Sequence, residues 1–500
     1  MPALTIVSHP RIERAGERLL LDALIAGREV ALSRNAPDFV KPGHALGLPL
    51  EDPFVSRKPL RFAASADGGV RLLVGEGGIV AVDGAQVRDR VEIGREALAA
   101  GATLELVERV VLLLHLAPFE AAPTADASGM VGESAGIRRV RGHLNRIADL
   151  SVPVLIRGET GTGKELVARA VHAHSPRRNG PFVSVNLGAV PRELAAAELF
   201  GAHKGAYTGA TRDREGFFGA ARGGTLFLDE VGEAPPEVQV MLLRVLETGE
   251  MFPVGGQSPI ATDVRLIAAT DADLEQHIRE GRFKAPLLHR LAGYEIRLPP
   301  LRERREDIGV LFVHFARQEL LAIGEPHRLS PEDPYADPWL PAALATRLVR
   351  YAWPGNIRQL RNLTRQMVIG SRGQAEVQLD PRLEEELDPA PARASAVPQA
   401  DAAEAPRRRS SEVTDAELVE ALRACAWDLK STADRLGIPR SSIYDRIARI
   451  PSIRTAGDLS AEEITRCFHA CGGDLKQMVE RLEVSGQALK RRLKELGLGR

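Results

Sequence analysis

Two short stretches carry residue types suited to handling phosphate. In VLIRGETGTGKELVARAVH (residues 154–172) an apolar strand candidate leads through Gly158, Glu159, Thr160, Gly161, Thr162 and Gly163 to Lys164 and Glu165, at the mouth of an amphipathic helix. Glycines let successive backbone N–H groups converge on phosphate oxygens, the helix N-terminus adds positive potential, and the lysine reaches the terminal phosphates. These are the parts of a P-loop. Glu165 stands where a Ser or Thr normally helps to bind Mg²⁺, so the metal needs another carboxylate. GGTLFLDE (residues 223–230) supplies it as an apolar strand ending in Asp229 and Glu230, at the edge of a parallel sheet where ligands gather. Asp229 is the expected Mg²⁺ ligand and Glu230 the residue that polarises an attacking water, a division of labour that in-line phosphoryl transfer requires. An acidic strand end that merely faces solvent is the plainer alternative, and it loses force beside the P-loop.

The elements that must position these residues alternate along the centre of the chain. VPVLIRG, PFVSVNL, GGTLFLDE and DVRLIAAT read as strands separated by helical stretches, the pattern of a parallel α/β sheet. A chain of 500 residues suggests about three domains, and 44% hydrophobic content is enough to bury sizeable cores. Ahead of the centre, short alternating strands such as GGVRLLVGEGGIVAVDG read as an all-β sandwich. The longest apolar run, VVLLLHLA, is too short to span a membrane, and the N-terminus lacks a basic-then-apolar signal, so a cytoplasmic protein without a membrane partner is expected. The three cysteines, Cys425, Cys467 and Cys471, suit reduced thiols; Cys467 and Cys471 are spaced i, i+4 without a second ligand pair and read as core packing. A net charge of −1 excludes a chain that coats nucleic acid along its length but allows a local basic element.

The tail contains an internal repeat. Shifted by 46 residues, ELVEALRACAWDLKSTADRLGIPRSSIYDRI falls on EITRCFHACGGDLKQMVERLEVSGQALKRRL, with Asp428, Leu429 and Lys430 meeting Asp474, Leu475 and Lys476. Two copies of one small helical unit follow from this.

GETGTGKE, GAYTGA, GGTLFLDE, LPPLRERREDI and WPGNIRQLRN occur in that order, and with them the centre resembles the AAA+ domain of bacterial enhancer-binding proteins, the activators of sigma-54 RNA polymerase. The resemblance covers roughly residues 131–372. It implies an ATPase that uses ATP and Mg²⁺, assembles as a hexameric ring, and grips sigma-54 through a mobile loop, here Gly205, Ala206, Tyr207, Thr208, Gly209 and Ala210, with Tyr207 in place of the family's Phe. In that family the Glu after the P-loop lysine is usual. By the same resemblance Asn186 couples the catalytic glutamate to the nucleotide, Arg358 is the sensor near the γ-phosphate, and Arg290 is a finger offered to the neighbouring subunit. Lys284 occupies the place of the other finger and Pro286 that of an acidic residue, Asp271 stands where the first sensor is usually Asn, and Ala202 and His203 depart from the usual His-Glu pair.

DLKSTADRLGIPRSSIYDRIARI is similar to the Fis-type helix-turn-helix of this family, which makes Arg440, Ser441, Ser442, Tyr444 and Arg446 the candidate contacts to enhancer DNA. The second repeat is basic but has Glu483 for Gly437; binding DNA, dimerising and packing are all open for it. AGREVALSR and PLEDPFVSRKPLRF resemble a forkhead-associated domain, which implies a phosphothreonine-containing partner held by Arg28, Ser56 and Arg57, although Pro59 and Asp83 depart from that family's His and Asn. The expected fold class is multidomain: an N-terminal all-β sandwich (1–118), a linker (119–130), a central α/β AAA+ P-loop ATPase core (131–300) with a helical lid (301–372), a flexible linker (373–411), a Fis-type helix-turn-helix (412–451) and a second such repeat (457–500). The expected function is ATP-dependent remodelling of sigma-54 RNA polymerase from an enhancer. The alternative is a DNA-binding regulator or repressor with weak residual ATPase.

Overall fold

The protein, seen in a computed structural model, falls into two units, residues 1–392 and 393–500. The structure describes residues 1–75, 78–118, 129–206, 212–329, 333, 335–374, 376–380, 383, 384 and 387 of the first, and 414–424, 427, 432, 435, 459–471, 475–482, 484, 489, 492 and 493 of the second.

The first unit opens with two antiparallel sheets, of eight and four strands among the described residues. Leu4, Ile6, Phe39, Phe62, Leu72, Leu104, Leu112 and Leu114 fill the space between them, so the expected sandwich is present. The strands Pro2–Ser8 and Val110–Leu116 pair at the middle of the larger sheet. Alternate residues of a strand face opposite sides of its sheet, and here both sides are covered. Leu112 and Leu114 enter the sandwich core, whereas Val7, Val111 and Leu113 join a second core with Ile308, Phe312, Leu348 and Trp353 of the lid. A strand buried on both faces reads as a continuous apolar run. That is why VVLLLHL does not alternate.

Polar groups complete this joint. Arg109, 5% exposed, donates to Asp52 in its own domain (Nε to Oδ2, 3.1 Å) and to Asp337 (3.2 Å) and the Ala336 carbonyl (2.8 Å) of the lid. Arg350 of the lid donates to the Asp83 carbonyl at 2.7 Å. Arg18 donates to Thr5 at 3.2 Å, and Thr5 bonds His115 at 2.8 Å; Arg18 also lies in the field of Glu306.

The centre is a five-stranded, all-parallel sheet among the described residues, in the order Phe182–Asn186, Thr225–Asp229, Arg265–Thr270, Val154–Arg157, Tyr294–Arg297. Four of these were legible as strands; Tyr294–Arg297 is additional. The P-loop follows Val154–Arg157, Asp229 and Glu230 end Thr225–Asp229, and Asp271 follows Arg265–Thr270, so the chemistry collects at one carboxyl edge. The lid contains the helices Ile308–Ala322, Ala342–Arg350 and Asn356–Gly370. Its core also buries Val377 and Leu387, so the lid runs past residue 372 and the linker expected from 373 begins later.

In the second unit the helices Asp415–Ala424 and Ala461–Ala470 are offset by 46 residues (461 − 415), as the repeat requires. Cys467 is buried with Ile464 and Met478, its Sγ 3.8 Å from that of Cys471. Among the described residues no helix is long and apolar enough to cross a membrane.

Burial, and then the neighbouring Asp307 carboxylate, push the Glu306 carboxyl from its ordinary 4.5 up to about 7, against the opposing pull of Arg18 and Arg304. Because the folded-state pKa is the higher one, Glu306 contributes in full in acid, and that contribution is lost as pH climbs from about 4.5 to about 7. Glu306→Gln is therefore expected to raise the melting temperature at pH 8, by about 3 °C or more, and to leave it unchanged at pH 4. Equal shifts at both pH values in a calorimetric scan would show that Glu306 is not the group responsible.

Candidate active site

The strand Val154–Arg157 delivers the chain to a loop that only glycine could shape in two places: Gly161 has φ +80° and Gly163 φ +103°. Gly163 caps the helix Lys164–Ala173. Lys164 turns back so that its Nζ donates to the Gly158 carbonyl at 2.8 Å and the Glu159 carbonyl at 3.3 Å. Burial lowers the Lys164 pKa; Asp271, Asp229 and Glu230 oppose that shift, and Arg358 adds to it. Three carboxylates and two cations thus face one another across the mouth of the loop. Thr162 Oγ1 donates to the Glu159 carbonyl at 2.7 Å, and Thr160 Oγ1 to Asp271 at 2.5 Å.

Both glutamates of this motif pair with arginines. Glu165 pairs with Arg169 one turn along the helix, at 2.6 Å. Glu159 receives both terminal nitrogens of Arg302 (2.8 and 2.5 Å) and the amide of Asn356 (3.1 Å), and the Arg302 bonds hold its carboxyl down at about 2.

At the end of Thr225–Asp229, separated from the P-loop strand by Arg265–Thr270, Asp229 Oδ1 accepts the Glu230 N–H at 3.0 Å, and Glu230 itself takes a left-handed backbone, φ +55°. Such a conformation is unusual for a residue with a side chain and concentrates at functional sites. Asn186 lies opposite Asp229 in the parallel register. Its Oδ1 accepts the N–H groups of Gly188 (2.8 Å) and Ala189 (3.2 Å), and a Cβ on Gly188 would lie 2.3 Å from Glu230 Oε2. The turn that Asn186 caps is thus the one against which the Glu230 carboxylate rests.

Arg358 is exposed at the start of the lid helix, beside a cleft of about 410 Å³ lined by Thr160, Gly355, Gln359 and Asn362. The finger positions lie on another element. Lys284 precedes the helix Ala285–Leu291 and donates its N–H to Gln239 at 2.9 Å, while Arg290 on that helix pairs with Glu247 at 3.5 Å. Arg302 and Asn356 join the site without having stood among the candidate residues, although they lie in the motifs LPPLRER and WPGN; Asn356 has φ +52°.

Of the expected sigma-54 loop, Gly205 and Ala206 are described, whereas Tyr207, Thr208, Gly209 and Ala210 lie outside the described residues. The loop's base is built: Ala202 pairs with Arg214 in a short antiparallel bridge, and Asp213 accepts the Lys204 N–H at 2.7 Å and lies 3.6 Å from the His203 ring. Arg440, Ser441, Ser442, Tyr444 and Arg446 also lie outside the described residues. In the β-domain Arg28, Ser56 and Arg57 are all exposed, with Ser56 Oγ accepting the Lys58 N–H at 3.0 Å. Asp83 is occupied internally, accepting from the Thr103 N–H and hydroxyl, each at 3.0 Å.

Comparison with known proteins agrees with this geometry. Residues 130–297 match the family model of the sigma-54 interaction domain, residues 302–397 that of an AAA+ ATPase lid domain, and residues 414–449 that of bacterial regulatory proteins of the Fis family. The transcriptional regulator NtrC of Salmonella typhimurium is 48% identical over 253 residues, 50% of this chain and 51% of that protein. NtrC of Azospirillum brasilense is 43% identical over 332 residues, 66% of this chain and 63% of that one. A solved structure of NtrX from Brucella abortus in complex with ATP is 31% identical, covering 74% of this chain and 69% of that one, with a TM-score of 0.45. The chain spans about half the length of the first curated relatives that it matches. The three successive sequence matches give the chain a sigma-54 interaction domain, an AAA+ ATPase lid domain and a Fis-family regulatory segment, in that order.

Proposed function

We propose that this chain binds DNA upstream of a promoter, assembles as a hexameric ring, and hydrolyses ATP to remodel sigma-54 RNA polymerase. The observation that carries the reading is the shared mouth formed by the P-loop, Asp229, Glu230 and Arg358, where Lys164 Nζ donates to the Gly158 and Glu159 carbonyls, bonds that it can exchange for phosphate oxygens. The glycine-lined cradle fits a nucleotide. Mg²⁺ would be held by Asp229 together with phosphate and water oxygens. When bound, Mg²⁺ would neutralise charge on the terminal phosphates. Glu230 would take the proton of the attacking water, and Arg358 would meet the γ-phosphate. The loop Gly205–Ala210 would present the Tyr207 ring and the Thr208 hydroxyl to sigma-54, and Arg440, Ser441, Ser442, Tyr444 and Arg446 would read the DNA.

A second reading, a DNA-binding regulator with weak ATPase, draws support from the finger positions. A finger in trans is worth roughly 10³ to 10⁵ in rate. Lysine cannot reproduce its bidentate contact. Arg290 is also engaged by Glu247 within its own chain. The β-domain is read as the input, taking a phosphothreonine peptide at Arg28, Ser56 and Arg57. With Asp83 turned inward, that binding would rest on the phosphate more than on the peptide backbone.

Four variants check these assignments. Glu230→Gln should bind ATP normally yet release phosphate at least about 100-fold more slowly, while Thr208→Ala should keep ATPase activity and lose transcription from a sigma-54 promoter in vitro; undiminished transcription by either variant would remove it from the mechanism. Asp271→Asn takes one negative charge from the mouth and should tighten ATP binding about 5-fold, the effect of roughly 1 kcal/mol between nearby charges; weaker binding in a calorimetric titration would overturn that account. A phosphothreonine peptide library should be retained by the full chain in preference to its unphosphorylated twin, and Arg57→Ala should abolish the difference. Equal retention would end the phosphopeptide reading.

A further inference from the structure

Residues 159–161 of the P-loop meet the start of the lid helix in one unbroken cluster of contacts, and Asn356 lies at its centre. The residue is fully buried and its backbone is left-handed, φ +52°. Its Oδ1 accepts the Leu301 N–H at 2.8 Å, and its Nδ2 donates to Glu159 Oε2 and to the Thr160 carbonyl, both at 3.1 Å. Leu301 begins the turn that carries Arg302, whose fork closes on Glu159. The result is a closed ring, Glu159 to Asn356 to Leu301 to Arg302 and back, joining three segments of chain. Two residues beyond Asn356, the Arg358 N–H donates to the Gly161 carbonyl at 3.3 Å.

The parts of this ring are unequal. The Glu159–Arg302 pair is 42% exposed on both sides, where screening by water leaves an ion pair worth little. The Asn356 bonds are shielded, and losing them would strand the buried Leu301 N–H. The left-handed backbone narrows the choice of residue, since glycine, asparagine and aspartate are the types that adopt it readily. Glycine would keep the bend and lose the bridge. Aspartate would keep one acceptor but set a second carboxylate against Glu159. Asparagine alone supplies the bend, the acceptor and two donors.

We propose that Asn356 is a positioning residue for ATP hydrolysis: it locks the P-loop to the first turn of the lid helix, so that Arg358 is aimed at the γ-phosphate and not merely tethered near it. The proposal rests on the reading of Arg358 as the γ-phosphate sensor, and the test separates the two. Asn356→Gly, Arg358→Ala and the double variant of the full chain would be compared for kcat, for KM, for affinity toward ATP and ADP, and for melting temperature. If Asn356 acts through Arg358, Asn356→Gly should lower kcat about 10-fold and Arg358→Ala about 30-fold, and the double variant should stay near 30-fold instead of reaching the product of about 300-fold. Asn356→Gly should also lose preference for ATP over ADP while keeping its affinity for ADP, because ADP lacks the phosphate that Arg358 reads. Asn356→Asp should behave in the same way despite its similar size.

A multiplicative double variant, or an equal loss of affinity for ATP and ADP, would assign Asn356 to general stability and overturn the proposal. A wild-type kcat for Arg358→Ala beside a depressed one for Asn356→Gly would overturn both the sensor reading and the route proposed through it. Wild-type kinetics for Asn356→Gly would overturn the positioning role alone and leave the sensor reading to stand on Arg358→Ala.

Discussion

The Gly355 carbonyl oxygen lies 2.3 Å from the point where a Cβ on Gly161 would sit. No side chain fits in that gap, so the missing Cβ is what lets the lid rest on the phosphate loop at all. From this one approach follow the bond between the Arg358 N–H and the Gly161 carbonyl and the cleft beside Thr160 that the lid helix walls. At the loop's second special glycine, Gly163, an added Cβ would enter open space; its positive φ serves to turn the chain into the helix that begins at Lys164. Two glycines of one motif thus do different physical jobs, one making room and the other making a turn.

What the sequence made legible was local. The P-loop announces itself because its glycines, lysine and flanking elements lie within twenty residues, and Asp229 and Glu230 because an apolar strand stops at them. The strand Tyr294–Arg297 was missed for a physical reason: as an edge strand it pairs on one side only, and YEIR has no apolar run to mark it. The lid's true extent was hidden too, since Val377 and Leu387 are single apolar residues in a stretch rich in Glu and Pro, and only the core that they enter reveals them. Glu159 looked like a member of the phosphate cradle. Its carboxylate instead serves partners 143 and 197 residues away, Arg302 and Asn356, and no local pattern encodes a contact of that span.

The β-domain shows the same limit from the other side. Its resemblance to a phosphopeptide reader was carried by Arg28, Ser56 and Arg57, in exposed turns beside the smaller sheet, and nothing in them implied that the outer face of the larger sheet is buried on the lid. The apolar run VVLLLHL held that information but lacked a partner to explain it. Asp83 illustrates the cost of reading one position alone: its side chain fastens Thr103 and its carbonyl takes Arg350, so it belongs to the domain's own frame and to the joint at once.

Arg109 gives that joint its mechanical character. A single guanidinium satisfies Asp52, at the root of the turn that bears Ser56 and Arg57, and at the same time Asp337 and the Ala336 carbonyl across the boundary; its face also covers the Phe54 ring at 4.4 Å. The two ends of that bridge differ: the Arg109–Asp52 pair is buried on both sides, whereas the Asp337 carboxylate is 78% exposed and open to water. The joint is therefore lopsided, dry and fixed where the guanidinium meets the β-domain and wet where it meets the lid, so salt in the medium reaches one end of the bridge and not the other.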